Sequence, residues 1–179
     1  MIYTTHYSSP IGDLLLAEKN GALVGLWMKD QKYFMGSLRE EAEVCEDSLV
    51  LEQAKQWLDR YFEKKKPSIH ELPLSPIGSS FRKEVWNLLC EIPYGQVTTY
   101  GEISKKIANR RGLERMSAQA VGGAVGHNPI SIIIPCHRVV GTNGSLTGYA
   151  GGIEKKIRLL TLEGVSIDTL SIPTKGTAL

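Results

Sequence analysis

Cysteine is scarce: the 179 residues include only three, Cys45, Cys90 and Cys136, far apart in the chain. They form no CxxC and no paired Cys/His spacing, so neither a structural zinc site nor a disulfide scaffold is expected, and no metal or other cofactor is implied. Scattered thiols suit a reducing, cytoplasmic compartment. No apolar run approaches the roughly 20 residues that cross a bilayer. The opening Met-Ile-Tyr-Thr-Thr-His lacks the basic and apolar regions of a secretion signal. Aromatic residues make up 7% and charged residues 22%, ordinary proportions that exclude a disordered or collagen-like chain.

The charge that is present is unevenly placed. Residues 1–78 carry 9 Lys/Arg against 12 Asp/Glu, a net of −3, whereas residues 79–179 carry 12 against 7, a net of +5. A basic second half fits an anionic partner. In the first half, Ile2–Ser8, Gly12–Glu18 and Ala22–Met28 have the composition of short strands, and Asn20-Gly21 is a type I′ hairpin turn signal. From Ser48 to Lys64, Leu51, Ala54, Trp57, Leu58, Tyr61 and Phe62 recur at helical spacing. Lys64-Lys65-Lys66 then leads into Pro67, Pro73 and Pro76, an extended linker.

The second half opens with Ser80 as N-cap of a helix whose face carries Phe81, Val85, Leu88, Leu89 and Ile92, with Cys90 on the other side and Pro93-Tyr94-Gly95 ending it. Thr99-Tyr100-Gly101-Glu102 is a capping box that starts a helix reaching about Asn109. A basic turn from Arg110 to Arg115 precedes another helix over Ser117–Gly126, a helix-turn-helix pattern with five Lys/Arg between Lys105 and Arg115. Gly122 and Gly123 sit inside the second helix, each costing about 1 kcal/mol against Ala. Close helix packing is one explanation; the other is a narrow helix of small residues laid into the minor groove of DNA.

The chemical centre is Ile132-Ile133-Ile134-Pro135-Cys136-His137-Arg138, expected as a buried strand stopped by Pro135 with a cysteine at its exit. A thiolate is the nucleophile, and at a reference pKa of about 8.5 only a small part is ionised at neutral pH. An adjacent imidazole can take the proton directly or through a water.

Ile134-Pro135-Cys136-His137-Arg138-Val139 resembles the signature of the O6-alkylguanine-DNA alkyltransferases. Pro93-Tyr94-Gly95, Thr99-Tyr100-Gly101-Glu102-Ile103, Ala120-Val121-Gly122-Gly123-Ala124, Asn128-Pro129, Tyr149-Ala150-Gly151-Gly152 and Leu162-Glu163-Gly164 match the same family in order. The likeness is close from Phe81 to Gly164 and extends to layout alone before that. It implies an α/β (α+β) fold in two domains. Residues 1–78 would form a small, ribonuclease H-like sheet domain with helices. Residues 79–179 would form a mainly helical, winged-helix-like domain that binds DNA and holds the alkyl acceptor.

The resemblance also implies roles. Cys136 accepts the alkyl group of O6-alkylguanine, or of O4-alkylthymine, once and irreversibly, in double-stranded DNA and without a cofactor. His137 is the base, acting through a water and oriented by Glu163, while Asn128 ties the recognition helix to the active-site segment. Tyr100 crowds the target phosphate and donates to the departing guanine. Carbonyls of Cys136 and Val139 hold the extruded base, Tyr149 walls its pocket, and the backbone N–H at Ala150 is a donor. Thr99, Ala118 and Gln119 face DNA. Extrusion is required because the alkyl carbon is out of reach inside the stack. A monomer is expected.

One position departs from the pattern. The family ordinarily has arginine before Ala-Val-Gly, inserted into the duplex, and this chain has Gln119. An amide keeps a hydrogen bond to the orphaned base but loses charge and stacking, so weaker binding or slower extrusion is expected. The turn before it is longer and more basic than usual, and Arg111 or Arg115 is available there as a cation. Two other classes remain open. A binding-only lesion sensor would share the fold without accepting the alkyl group, and a cysteine hydrolase would turn over repeatedly and need an oxyanion hole.

Overall fold

The computed structural model describes residues 1–173, which divide into two compact units. The first contains residues 1–78 together with 129–133. Its sheet is built from β1 (Ile2–Ser9), β2 (Gly12–Lys19), β3 (Ala22–Met28) and β4 (Ala42–Val44), in the order β3-β2-β1-β4. The three expected strands form an antiparallel meander. Asn20 and Gly21 both take positive φ, 54° and 78°, as a two-residue I′ turn between Lys19 and Ala22 requires. Short, exposed β4 pairs parallel to β1 and was not foreseen, because its segment is dominated by acidic residues. Gly25 has a packing reason: a Cβ there would overlap the Trp27 ring, which lies on the same strand face.

Helix α1 (Leu49–Phe62) is capped by the Ser48 hydroxyl, which accepts the Leu51 N–H. It buries Leu51, Ala54, Trp57, Leu58 and Tyr61, the stripe that its periodicity marks out. The linker that follows is more ordered than its prolines suggest. The Trp57 indole N–H donates to the Ser68 carbonyl at 2.9 Å, and residues 69–71 form a 3-10 turn. Leu74 then bridges Leu23.

Residues 129–133 belong to this first unit rather than the second. The Leu26 N–H donates to the Pro129 carbonyl, and the Ser131 N–H to the Leu26 carbonyl, so the segment covers the outer edge of β3. The strand expected over Ile132–Ile134 is not formed. Those isoleucines are buried but form a turn, with Ile132 at φ 69°. Pro129 and Pro135 remove ladder donors at either end, leaving a segment too short for more than the Ile130–Leu26 bridge.

The second unit holds the remaining described residues. Its helices are α2 (Ser80–Leu89), α3 (Tyr100–Arg111), α4 (Ala118–Gly126) and α5 (Ile153–Leu162), with a parallel pair of two-residue strands, β5 (Thr98–Thr99) and β6 (Val139–Val140). The cap of α2 is Ser79, not Ser80; its hydroxyl accepts the Arg82 N–H. The capping box of α3 is complete, with Thr99 Oγ1 accepting from the Glu102 N–H and Glu102 Oε2 from the Thr99 N–H. That helix runs to Arg111 and stops at Gly112, φ 65°. Helices α2, α3 and α4 pack together, and the buried Trp86 indole donates to the Ala124 carbonyl at 2.8 Å. Among the described residues no helix is long and apolar enough to cross a membrane.

Candidate active site

The site is assembled by three local devices within the second unit. Residues 136–138 form a single 3-10 turn, which puts Cys136, His137 and Arg138 on one tight bend, all three buried. Pairing of Thr98 with Val139 and Thr99 with Val140 then fastens this bend to the N-terminus of α3, where Tyr100 begins the helix. Asn128, just beyond α4, donates from Nδ2 to the Ile134 carbonyl at 2.8 Å, holding the approach to the thiol.

Glu163, at the C-terminal end of α5, is the hub. His137 Nε2 lies 2.5 Å from Glu163 Oε2. Arg138 Nε donates to Oε1 at 2.7 Å and Nη2 to Oε2 at 3.2 Å, while the Gly95 N–H reaches Oε1 at 3.1 Å. With Nε2–H donating to a carboxylate, the lone pair of His137 is on Nδ1, which is buried and without a hydrogen-bond partner. Arg138 is itself held from the other side, where Nη1 donates to the Ile92 carbonyl at 2.7 Å and the guanidinium lies over the Tyr94 ring.

Electrostatics follow from burial and these contacts. Burial pushes the Cys136 thiol up, opposed by a hydrogen bond from Asn128, the charge of Lys156 and backbone N–H groups of the bend. Burial pulls His137 below its ordinary value, the Glu163 contact resisting. Burial disfavours the charge on Glu163, but His137 and Arg138 outweigh it and hold the carboxyl well below the usual range. Lys156, on α5, is fully buried; its ammonium donates to the carbonyls of Val139 and Thr147. Burial brings it down to about 8. Tyr100 donates its hydroxyl to the same Thr147 carbonyl at 3.0 Å and is pushed up to about 12, chiefly by burial. Gly148, φ 72°, makes room for it: a Cβ there would stand 2.8 Å from the Tyr100 oxygen.

Of the residues singled out from the sequence, Cys136, His137, Glu163, Asn128, Val139, Tyr100 and Tyr149 converge here. Tyr149 is buried, and the negative charges of Cys136 and Glu163 add to burial in raising it. Ala150 follows it, half-buried, and Thr99 caps α3. Ala118 and Gln119 lie apart, exposed on the first turn of α4. That helix presents a face almost without side chains: a Cβ at Gly123 or Gly126 would meet nothing within 4 Å, and one at Gly122 only the Tyr100 ring at 3.8 Å. Close internal packing therefore does not explain Gly123. In the basic turn, Arg111 is engaged by Glu84 and stacked on Phe81, and Arg110 by Glu91, whereas Arg115 is exposed.

Sequence reasoning passed over Arg138, Lys156 and Gly95 as parts of the site. Lys156 left a signal, since it lies seven residues before Glu163 and on the helical face of Leu159 and Leu160. The Gly95 N–H left none.

A buried thiol beside a histidine held by a buried carboxylate, in a unit where α3 and α4 follow each other across a short turn, has the groups of a nucleophilic cysteine site. Two family profiles match. The 6-O-methylguanine DNA methyltransferase ribonuclease-like domain covers residues 2–76, and the DNA binding domain of the same family covers residues 80–165. The chain belongs to the 6-O-methylguanine DNA methyltransferase family. It is 42% identical to a methylated-DNA–protein-cysteine methyltransferase of Methanosarcina acetivorans over 91% of this chain and 99% of that one. A Haemophilus influenzae protein of the same name is 38% identical over 92% and 87%. The crystal structure of Mycobacterium tuberculosis OGT in complex with DNA superposes with a TM-score of 0.76 at 39% identity, covering 90% and 91%.

Proposed function

We propose that this protein repairs DNA by direct reversal, moving the alkyl group of O6-alkylguanine, and of O4-alkylthymine, onto Cys136 in a single irreversible turnover. The observation that carries the assignment of roles is the Cys136–His137–Glu163 arrangement, with the imidazole Nε2–H committed to Glu163 and Nδ1 left as the acceptor. The thiol proton passes to Nδ1, directly or through a water, and the imidazolium that forms is stabilised by Glu163. The sulfur attacks the alkyl carbon opposite O6, so an S–C bond forms as the C–O bond breaks. Guanine leaves with the electron pair and takes a proton from the Tyr100 hydroxyl, which His137 then restores. Asn128 and Lys156 favour the negative sulfur.

The carbonyls of Cys136 and Val139 hold the extruded base, with Tyr149 and the Ala150 N–H closing its pocket. Thr99, Ala118 and the bare face of α4 contact the duplex; Gln119 fills the vacated stack. Arg115 is the cation of the basic turn best placed to meet a phosphate, since its neighbours are already paired. The protein acts in the cytoplasm as a monomer.

The test is intact-protein mass after incubation with a duplex carrying one O6-methylguanine, followed by peptide mapping. One CH₂ on the Cys136 peptide, saturating at one per protein and absent from Cys136→Ala, is expected. Lesion-selective binding without an adduct would replace this reading with a sensor. Repeated turnover on an ester would replace it with a hydrolase.

A further inference from the structure

A buried carboxylate facing a single imidazole draws a proton onto it, because the ion pair is worth more than the neutral one. Around His137 that pull works against burial, which disfavours the imidazolium, a form unable to take a proton from a thiol. Glu163 does not face His137 alone. Arg138 grips both carboxylate oxygens with its planar fork, at 2.7 Å and 3.2 Å, so the charge that would hold a proton on the imidazole is already balanced. Guanidinium is the form suited to this, because it stays protonated at any working pH. It is also fixed in place, by the Ile92 carbonyl at Nη1 and by the Tyr94 ring.

The other charged and titratable groups around the imidazole do not restore the imbalance. Lys156 on α5 adds a second positive charge. Cys136 on the same bend is the group to be deprotonated, and Tyr94 and Tyr149 are neutral phenols beside Glu163.

Resting on the alkyl-transfer reading, we propose that Arg138 is a positioning residue that keeps His137 a neutral base, with Nε2–H on Glu163 and Nδ1 left without a hydrogen-bond partner. The contacts of Arg138 are with Glu163, the Ile92 carbonyl and the Tyr94 ring, and it acts by sharing the carboxylate. The arrangement gives Glu163 two separate duties. It orients the ring through Oε2 and shares its charge with Arg138, which lessens the pull on a resting proton without removing the support for the imidazolium that forms.

Imidazole ¹⁵N shifts of the labelled protein test this. In the unaltered protein His137 is expected as the neutral Nε2–H tautomer at about pH 7. In Arg138→Met it becomes imidazolium at that pH. Adduct formation then falls by about tenfold or more and recovers to within about threefold at pH 9, as the imidazolium loses its proton. Arg138→Lys retains a charge and leaves the ring neutral. Imidazolium in the unaltered protein at pH 7 would overturn the proposal, as would a neutral ring in Arg138→Met with an equal loss of rate at every pH, the mark of mere scaffolding. Should Arg138→Met fail to fold, Arg138→Gln takes its place: imidazolium at about pH 7 supports the proposal and a neutral ring overturns it. Failure of the alkyl-transfer reading shows separately, as no adduct on Cys136 in a protein whose His137 shifts are as expected.

Discussion

The two units bury different things. In the first, the interior is built from aliphatic and aromatic side chains such as Leu16, Leu26, Trp27, Leu58 and Tyr61, and its ion pairs, Arg60–Glu71 and Lys55–Glu46 among them, lie at the surface. Glu18 is its one buried acidic or basic side chain among the described residues. The second unit buries His137, Arg138, Lys156 and Glu163 within one cluster, alongside the Cys136 thiol. Apolar burial contributes about 25 cal/mol per Å² without needing partners. Buried charges must be matched group by group, and a cluster of them does little for net stability. The contrast is that of a unit selected for packing and one that accepts an electrostatic cost for chemistry.

Removing a partner from the cluster gives the largest effect. Glu163→Ala strands Arg138 and His137, and about 3–5 kcal/mol of stability should be lost in urea unfolding, with adduct formation abolished. The same cluster sets the acid limit. Its carboxyl is held below the usual range, so its contribution is complete above an unfolded value of about 4.3 and disappears as pH falls. His137, depressed by burial, adds a loss that begins below about 6.5, where the unfolded ring takes a proton that the folded one resists. Glu163→Ala should flatten the first component, and a variant as acid-sensitive as the parent would break the comparison.

Leu58→Ala, in the first unit, should cost about 2–5 kcal/mol through transfer and cavity terms. Its adduct rate, measured at a temperature where the variant is folded, should stay within about twofold of the parent. A larger fall would mean that packing in the first unit sets the chemistry of the second. The smallest effect is expected at the exposed face of α4. Gln119→Arg should change stability by less than about 0.5 kcal/mol while raising the repair rate on duplex DNA. An unchanged rate would show that the neutral amide suffices there.

Much of this was visible in the order of residues. The strand meander, its Asn20-Gly21 turn, the stripe of α1 and the Thr99–Glu102 capping box are local patterns, written within a few residues of one another. Their physics needs no distant partner. The Ile132–Ile134 strand failed for the converse reason. Three isoleucines read the same in a strand or a buried turn, and the prolines at 129 and 135 together with the edge of β3 decide between them. The cap of α2 moved by one residue because Ser79 and Ser80 are equivalent in chemistry and differ only in backbone position.

Cysteine beside histidine, with a glutamate and an asparagine elsewhere in the chain, was legible from the sequence as the stock of a nucleophilic site. Side-chain chemistry and a matching succession of motifs are sequence properties. The resemblance implied the links of Glu163 to His137 and of Asn128 to the active-site segment; the distances, and the further partners of Glu163, came only with tertiary structure. Glu163 lies 26 residues from His137, and the Gly95 N–H that also reaches it comes from 68 residues away. Sharing of one carboxylate by His137 and Arg138, and the burial of Lys156 behind Val139, exist only once α5 has closed over the bend. Burial and distance set the proton affinities of these groups, and both are properties of the folded chain.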